Sequence, residues 1–436
     1  MKAFAPLSQR IRQKTARVGV LGLGYVGLPL ALEFCRKGFR VLGFEVSPAR
    51  LARLRRGRSY VLDIADDRLE EALGLGLFEP TDKFDRLSAC DIIIICVQTP
   101  LRKTRDPDLS HIFAATKEAA SRMRPGQLVV LESTTFPGTT DEVVRPLLEA
   151  GGRRLGKDFF LAFSPERVDP GNSRWNIANT PKVVGGAEPN STALAAELYG
   201  HIVDQVVPVS STKAAEVVKL LENSFRAVNI ALVNEMAQIC HRLELDVWEI
   251  ISAAATKPFG FMPFYPGPGI GGHCIPKDPQ LLTWKMKTLD FEPRFIELAS
   301  SINGAMPRYT VARIAEVLNK RRRALNGSKI LVLGVAYKPD TTDYRDSPAL
   351  DVMELLRQAG ARVSYHDPFV PEVRIDGARW KGAALSDGLL RSSDCVAIMT
   401  AHKSLDYRRV IRLASCVFDA RNATADIGVS AKVFRL

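Results

Sequence analysis

The apolar and polar positions near the N-terminus predict a strand–helix–strand unit. After a basic leader, ARVGVLGLGYVGLPLALEFCRKGFRVLGFE predicts an apolar strand, a glycine turn, a helix and a second strand. Further apolar runs bounded by turn residues predict more strands. They are DIIIICV from Asp91, QLVVLEST from Gln127, DFFLAFSPE from Asp158 and KVVGG from Lys182. Helical stretches between several of these runs favour a Rossmann-type parallel sheet, in a domain that we place at residues 1–210.

From Ser211 the pattern changes to a long helix, STKAAEVVKLLENSFRAVNIALVNEMAQICHRLEL, without glycine or proline. One side of it is apolar, with Val217, Val218, Leu221, Phe225, Val228 and Leu232. A different, polar side carries Glu216, Lys219, Asn223 and Asn234. We expect the apolar side to pack and the polar side to meet ligand. Because a helix of this length commonly bridges domains and packs against a symmetry mate, we expect a homo-oligomer, most simply a dimer, with a central helical domain at residues 211–326.

The last part of the chain repeats the strand–turn–helix–strand plan. KILVLGVAYKP and SPALDVMELLRQAG predict a strand and a helix, and ARVSYHDP, DCVAIMTAH and CVFDARN predict further strands, at residues 327–436. This domain lacks the glycine triplet of the first, so it suits a nucleotide other than a dinucleotide. The predicted fold class is α/β, with two Rossmann-like domains joined by a long central helical segment.

Composition narrows the class of protein. The 436 residues are 46% apolar and 25% charged, which is typical of a folded chain of two or three domains. The N-terminus lacks the apolar core of a signal peptide, and no segment has the roughly 18 consecutive apolar residues of a membrane span. We therefore expect a cytoplasmic protein with no membrane partner. The seven cysteines show neither disulfide nor metal-ligand spacing, so we expect no metal.

The formal net charge of +12 would suit nucleic acid, a membrane surface or anionic small molecules. The basic run from Lys320 to Arg323 follows a helical pattern and has no interleaved aromatic residues for stacking on bases. A solvated helix end explains this run, and we expect no nucleic-acid partner.

The glycine turn of the first unit predicts a dinucleotide site. In G-x-G-x-x-G, Gly22 allows the turn, Gly24 admits the pyrophosphate and Gly27 lets helix and strand approach. Glu45 ends the second strand, where a carboxylate can hold the ribose hydroxyls and repel a 2′-phosphate. The pattern predicts NAD rather than NADP.

One cysteine stands apart from the others. Cys274 lies in GPGIGGHCIPKDP, after Gly271 and Gly272 and ahead of Lys277 and Asp278. Glycines let backbone approach a substrate closely, and a neighbouring cation favours the reactive thiolate. The other six cysteines lie in or beside apolar runs and are expected to be small buried hydrophobes. A nucleophilic thiol together with a hydride acceptor predicts alcohol oxidation beyond the aldehyde.

Other polar residues are candidates for the active site, but each can also have an ordinary structural role. Lys219 and Asn223, one helical turn apart, can both point at one substrate oxygen, or they can be a solvated lysine and a surface asparagine. His273 adjoins the cysteine, but neighbours in an extended loop point apart, which favours a structural imidazole. Glu166 and Thr134 follow predicted strand ends, where α/β sites gather and where caps and turns also occur.

Seven motifs in order resemble the UDP-glucose/GDP-mannose dehydrogenase family of NAD-dependent four-electron sugar-nucleotide oxidases. They are GLGYVGLPLA at Gly22, ESTTFPGTT at Glu132, FSPERVDPG at Phe163, KLLENSFRAVNIALVNE at Lys219, GGHCIPKDP at Gly271, GVAYKPDTTDYRDSP at Gly334 and FDARN at Phe418. The resemblance runs from about Arg17 to Asn422. Within the family, TKPFGFMPFYPGPGIGGHCIPKDP and ENSFRAVNIALVNEMA look most like the bacterial branch that oxidises UDP-N-acetylglucosamine.

The resemblance implies roles for the candidate residues. Cys274 would be the nucleophile, Lys219 and Asn223 would stabilise oxyanions, and Asp278 would assist proton transfer. The sugar six-position alcohol would be oxidised to an aldehyde, trapped as a thiohemiacetal, oxidised again to a thioester and hydrolysed. The product would be a uronic acid for surface polysaccharide.

The resemblance also implies the binding residues. Thr134 and Glu166 would place the hydrolytic water. NAD would be bound by Gly22, Gly24, Tyr25, Val26, Gly27, Glu45, Thr99, Thr134 and Arg345. The UDP-sugar would be bound by Glu166, Arg167, Val168, Lys219, Asn223, Tyr265, Gly271, Lys338 and Arg421. Some relatives that act on UDP-glucose carry a lysine where this chain has Tyr265, so contacts to the sugar and diphosphate can differ here.

Several alternatives stay open. The substrate can be UDP-N-acetylgalactosamine or UDP-glucose instead. A β-hydroxyacid-type dehydrogenase also joins a Rossmann domain to a long helix with lysine and asparagine, but it transfers one hydride and needs neither Cys274 nor a second α/β domain. A non-enzymatic protein that binds nucleotide or nucleic acid would leave the glycine-flanked thiol without a role.

Overall fold

The fold is taken from a computed structural model that describes residues 3–61, 64–102, 104, 106–168, 172, 174–428 and 430–436. The chain forms two compact units. The first extends to Glu222 and includes Trp284–Asp290, and the second comprises Asn223–Thr283 and Phe291–Leu436. The three-domain division at residues 210 and 326 stays a prediction.

The first unit is built on an eight-stranded sheet. Its strands are β1 (Arg17–Leu21), β2 (Arg40–Phe44), β3 (Phe78–Thr81), β4 (Ile92–Ile95), β5 (Gln127–Leu131), β6 (Phe159–Phe163), β7 (Lys182–Gly186) and β8 (Val206–Val209). Their order is β3-β2-β1-β4-β5-β6-β7-β8, and only β6 and β7 pair antiparallel. The first six positions follow the Rossmann order. Strands β4 and β6 are apolar throughout, and β5 is apolar after Gln127, because both faces of the sheet are covered.

Helices cover the two faces of this sheet. They are α1 (Phe4–Arg12), α2 (Gly27–Arg36), α3 (Pro48–Arg55), α4 (Asp66–Gly74), α5 (Ser110–Arg122), α6 (Arg145–Glu149) and α7 (Pro189–Tyr199). One core cluster contains side chains of α2 and α7, and another contains side chains of α5 and α6. The basic leader, which the sequence left without an element, forms α1, and its Leu7 and Ile11 are fully buried in the first cluster.

The long helix α8 spans Thr212–Arg242, close to the predicted bounds. Its faces differ from the expectation, because the polar side is the buried one. Lys219 is 9% exposed and Asn223 is 6% exposed, whereas Leu221 is 63% exposed and Leu232 is 54% exposed. Buried polar groups need hydrogen-bond partners, and the partners of this face are described with the candidate site below. The apolar side is thus an uncovered surface of the single chain.

The second unit continues α8 with further helices and a second sheet. Its other helices are α9 (Val247–Ala254), α10 (Asp278–Lys287), α11 (Arg294–Lys320), α12 (Pro348–Gln358), α13 (Asp387–Ser392) and α14 (Tyr407–Leu413), and the last turn of α10 belongs to the first unit. The strands are β9 (Lys329–Leu333), β10 (Arg362–His366), β11 (Glu372–Ile375), β12 (Ala378–Lys381), β13 (Cys395–Ile398), β14 (Val417–Asp419) and β15 (Val433–Arg435). The parallel sheet has the order β10-β9-β13-β14-β15, and β11 and β12 form a separate hairpin.

The fold class is as predicted: two Rossmann-like α/β sheets and a long central helix. The sequence did not predict β3, β8, β15 or the β11–β12 hairpin. Each of these strands has only three or four residues, too few for a clear alternation of apolar and polar positions. Among the described residues, no helix is long and apolar enough to cross a membrane.

Candidate active site

The glycine turn between β1 and α2 has the form that a dinucleotide pyrophosphate requires. Gly22 has a φ of +91°, and a Cβ there would lie 2.8 Å from the carbonyl oxygen of Cys96. A Cβ on Gly27 would lie 1.9 Å from the carbonyl oxygen of Gly22. A Cβ on Gly24 would meet no described protein atom within 4 Å, so protein packing does not require that glycine. The space beside Gly24, at the N-terminal end of α2, fits NAD pyrophosphate. Of the neighbouring predicted contacts, Tyr25 is 46% exposed and Val26 is partly buried.

Glu45 lies buried at the end of β2, as expected for the ribose ligand. Its Oε1 accepts a hydrogen bond of 2.9 Å from the Ser47 amide, and its Oε2 lies 3.9 Å from the Arg50 guanidinium. Tyr60, which the sequence reasoning missed, donates its hydroxyl hydrogen to the Leu23 carbonyl at 2.7 Å and lies 3.4 Å from Glu45 Oε2. Burial, then Glu45, raises the pKa of Tyr60, so the hydroxyl stays a donor. Tyr60 therefore connects the glycine turn to Glu45, the carboxylate expected to bind the ribose.

Three predicted residues follow the carboxyl ends of adjacent strands. Thr99 after β4 donates from Oγ1 to the carbonyl of Thr134, which follows β5. Glu166 follows β6, and its Oε1 accepts a hydrogen bond of 2.5 Å from the Val168 amide. Because β4, β5 and β6 are neighbours in the sheet, the structure brings Thr99, Thr134 and Glu166 to one edge.

The Arg167 side chain forms hydrogen bonds to two residues of the first unit. Its Nη2 donates to Glu222 Oε1 at 2.6 Å, and its Nη1 donates to the Pro181 carbonyl at 2.5 Å. Glu222 lies three residues after Lys219 on α8. Arg167 therefore anchors the loop after β6 to α8, and substrate contact by its side chain stays a prediction.

Glu216, which the sequence assigned only to a polar face, fixes the start of α8. Its carboxylate accepts hydrogen bonds from the Gly138 amide, from the Thr140 amide at 2.9 Å and from Thr140 Oγ1 at 2.7 Å. Burial raises the pKa of Glu216 to about 7 against these hydrogen bonds. The contacts join the helix that carries Lys219 to the loop after Thr134. The burial of Lys219 and Asn223 excludes the solvated-lysine and surface-asparagine alternative.

In the second unit, Cys274 precedes the first turn of α10. Its carbonyl oxygen accepts hydrogen bonds from the amides of Lys277 at 3.1 Å and Asp278 at 2.8 Å. Asp278 is 5% exposed, and its Oδ2 accepts a 2.5 Å hydrogen bond from Asn223 Nδ2. Lys277 Nζ lies 2.7 Å from Asp346 Oδ2, so the Lys277 ammonium forms an ion pair with that carboxylate. The structure thus brings Asn223 and Asp278 together beside the turn that contains Cys274.

The two glycines before the thiol are required by close packing on Tyr337. A Cβ on Gly271 would lie 2.9 Å from Tyr337 Cβ, and a Cβ on Gly272, whose φ is +86°, would lie 2.7 Å from Tyr337 Cε2. Burial, then the cations of Lys277 and Arg345, lowers the pKa of His273, which favours a neutral imidazole. The GGHC motif and the GVAYKPDTTDYRDSP motif therefore form one packed loop pair.

The remaining predicted ligands also lie in the second unit. The Arg345 guanidinium donates two hydrogen bonds to Asp343, at 2.9 and 2.7 Å. Arg421 Nε donates to the Met399 carbonyl at 3.0 Å, and burial lowers the pKa of Arg421 to about 10. Lys338 follows β9 and Arg421 follows β14, so both belong to the carboxyl-end edge of the second sheet.

Tyr265 is 54% exposed, and its ring stacks on Trp248 with ring centroids 6.1 Å apart. No described group of three or more His, Cys, Asp and Glu side chains is arranged to hold a metal ion.

Two Rossmann-like sheets, a dinucleotide turn and a cysteine in the turn before the buried Asn223–Asp278 pair indicate an NAD-dependent oxidoreductase. Models of the UDP-glucose/GDP-mannose dehydrogenase family match three successive stretches. The NAD binding domain matches residues 16–203, the central domain matches residues 213–305 and the UDP binding domain matches residues 331–426. The chain belongs to the UDP-glucose/GDP-mannose dehydrogenase family.

Individual relatives agree with this assignment. The chain is 37% identical to UDP-N-acetyl-D-mannosamine dehydrogenase of Pyrococcus horikoshii, over 93% of this chain and 95% of that protein. It is 36% identical to UDP-N-acetyl-D-glucosamine 6-dehydrogenase of Pseudomonas aeruginosa, over 82% of this chain and 84% of that protein. The solved structure of the UDP-N-acetylmannosamine dehydrogenase from P. horikoshii matches with a TM-score of 0.87 at 35% identity, covering 96% of this chain and 98% of that one.

The protein is therefore an NAD-dependent UDP-sugar 6-dehydrogenase. This confirms the predicted family, fold class, cofactor and type of enzyme. The non-enzymatic alternative is set aside. So is the single-hydride β-hydroxyacid alternative, which does not need the UDP binding domain.

Proposed function

We propose that the protein oxidises the six-position alcohol of a UDP-N-acetylhexosamine to a carboxylate through a covalent Cys274 thioester. The observation that most supports this is the buried hydrogen bond from Asn223 to Asp278, at the helix that starts just after Cys274. An alcohol dehydrogenase that stops at the aldehyde needs no nucleophilic thiol.

In the first oxidation, negative charge develops on the substrate oxygen. NAD, when bound at the glycine turn, supplies the hydride acceptor for each of the two oxidations. The Asn223 amide has two N–H donors, and only one is used by Asp278, so the second can stabilise the oxygen together with the Lys219 ammonium. Asp278 accepts the proton that leaves the hydroxyl.

In the second half, the Cys274 thiolate adds to the aldehyde carbon and forms a C–S bond. The resulting alkoxide is held by the same donors, and its oxidation leaves a thioester on Cys274. A water molecule held by Thr134 and Glu166 attacks the thioester carbon and gives a proton to the Glu166 carboxylate. The C–S bond breaks, the thiolate returns and the UDP-uronate leaves.

The proposed substrate is UDP-N-acetylglucosamine, as the loop resemblance predicts, and the P. aeruginosa relative that is named for this sugar supports it. A specific observation favours a second candidate, UDP-N-acetylmannosamine: the P. horikoshii relative named for it is 37% identical over 93% of this chain. Both candidates share the 2-acetamido group. The use of the product in surface polysaccharide remains part of the proposal.

We further propose a cytoplasmic homodimer. The exposed apolar side chains of α8, among them Leu221, Phe225 and Leu232, support self-association because such surface is rarely left in water. None of the seven cysteines, all of which the structure describes, is in a disulfide, which suits a reducing compartment.

An NADH-release assay over four UDP-sugars tests the substrate proposal. The panel is UDP-N-acetylglucosamine, its manno and galacto epimers, and UDP-glucose. We expect one of the gluco and manno sugars to give the highest kcat/KM. A higher value with UDP-glucose would contradict the 2-acetamido assignment and leave the reaction class intact.

A further inference from the structure

A buried lysine at the start of β7 connects two loops of the first unit. Lys182 Nζ lies 2.9 Å from Glu132 Oε2 and donates a second hydrogen bond, of 3.3 Å, to the Pro165 carbonyl. The side chains of Lys182 and Glu132 are 8% and 0% exposed. Tyr199 donates its hydroxyl hydrogen to the other Glu132 oxygen, and its ring centroid lies 5.1 Å from the Lys182 ammonium. Apolar residues of similar volume often stabilise a core as well as a buried ion pair does, so stability alone explains this cluster poorly.

The partners of Lys182 adjoin the residues proposed to hold the hydrolytic water. Glu132 directly follows β5 and lies two residues before Thr134, and Pro165 directly precedes Glu166. Because β6 and β7 are antiparallel, the start of β7 lies beside the residues that follow β6. One side chain therefore bonds to both loops. The Arg167–Pro181 hydrogen bond, described above, also joins the loop after β6 to the start of β7.

Four titratable side chains, each in or just after a different element, surround Lys182. Glu132 follows β5, Glu166 follows β6, Cys96 follows β4 and Tyr199 lies on α7. Burial works to lower the pKa of Lys182, but Glu132 and then Glu166 outweigh it and raise that pKa above its ordinary value. Burial raises the pKa of Cys96 and of Tyr199, so both stay neutral. Lys182 is thus a cation that forms an ion pair with Glu132 and is also attracted by Glu166.

We propose that Lys182 is a positioning residue for thioester hydrolysis: it holds the Thr134 and Glu166 loops together, so that the Glu166 carboxylate is placed to accept the proton of water. This inference rests on the proposed function, because it requires a Cys274 thioester. It assigns Lys182 no contact with the sugar or NAD. The effect of losing Lys182 should therefore fall on hydrolysis and leave both oxidations in place.

The test uses Lys182→Met, which keeps the side-chain length and removes the charge. We expect a first-turnover burst of two NADH per active site, then a steady rate lowered about tenfold or more. KM for UDP-sugar and for NAD should stay within about threefold. Acid quenching and mass spectrometry should find a UDP-sugar acyl adduct on Cys274.

Matched variants separate positioning from folding. Lys182→Arg keeps a cation and a donor and should restore the rate to within about threefold of wild type. Lys182→Met with Glu132→Gln removes the unpaired buried carboxylate, so it should fold even if the single variant does not, yet it still lacks the bond to Pro165 and should still accumulate adduct. Tyr199→Phe removes one hydrogen bond to Glu132 but keeps both Lys182 bonds, so it should not accumulate adduct.

Wild-type hydrolysis in the double variant would overturn the proposal, as would a wild-type steady rate without adduct in a folded Lys182→Met enzyme. Failure of the proposed function would be seen separately. In that case wild type itself would release one NADH per sugar and form no adduct.

Discussion

At the scale of single residues, Glu45 decides between NAD and NADP. It is buried beside Arg50, and that cation can hold a 2′-phosphate once the carboxylate is gone. Glu45→Gln should raise KM for NAD by about tenfold and relax the rejection of NADP. Steady-state kinetics with both cofactors measures this. Glu79→Gln, which changes an exposed carboxylate on β3, is the control, and a wild-type enzyme that uses both cofactors equally would refute the assignment.

Tyr60 holds the glycine turn rather than the cofactor. Tyr60→Phe removes the 2.7 Å hydrogen bond to the Leu23 carbonyl, worth about 1 kcal/mol, so KM for NAD should rise about fivefold with kcat little changed. Tyr365→Phe is a matched control, since that hydroxyl lies 3.4 Å from the Trp380 carbonyl in the second unit. Equal effects of the two variants on KM for NAD would show that Tyr60 has no special role at the turn.

Glu216 should make stability depend on pH. Burial raises its pKa from about 4.5 unfolded to about 7 folded, so the native state binds the extra proton between these values. The stability that this gives is complete below pH 4.5 and is lost as pH rises through 7. Glu216→Gln should abolish this part of the fall, which is of the order of a few kcal/mol. Urea unfolding of both proteins at pH 5 and pH 8 measures the difference, and parallel pH dependence would contradict the prediction.

At the scale of elements, α8 has two faces with different roles. Its polar face is buried and bonded, and its apolar face is exposed on the single chain. Leu221→Glu together with Leu232→Glu should convert a dimer into a monomer, because charges would replace apolar contacts at an interface. Light scattering measures the mass. Leu75→Glu, at a 65% exposed leucine after α4, is the control and should leave the mass unchanged. A monomeric wild type would count against the interface.

The sequence predicted the bounds of α8 but not which face the chain buries. Spacing alone shows that two faces exist. The choice depends on distant partners, such as Gly138 for Glu216 and Asp278 for Asn223, and spacing does not reveal these. Tyr60 and Lys182 were missed for the same reason, since their partners lie 37 and 50 residues away along the chain.

At the scale of the whole molecule, local pattern was sufficient for the fold class. Apolar runs separated by glycine turns specify the β1–α2–β2 unit, and a similar pattern that begins near Lys329 specifies the second sheet. Motifs also pointed to Cys274 and Asp278, because glycine and proline around a thiol are unusual. Sugar selectivity was not predictable in this way, since it depends on contacts of loop residues such as Tyr265 with a ligand.

The number of NADH molecules released per UDP-sugar tests the covalent four-electron mechanism most directly. Wild type should release two NADH for each UDP-N-acetylhexosamine consumed, without free aldehyde. Cys274→Ser keeps the shape with a much weaker nucleophile, so carboxylate formation should slow strongly, and Cys274→Ala should stop it. A Cys274→Ala enzyme that still makes the uronic acid at the wild-type rate would contradict the covalent mechanism.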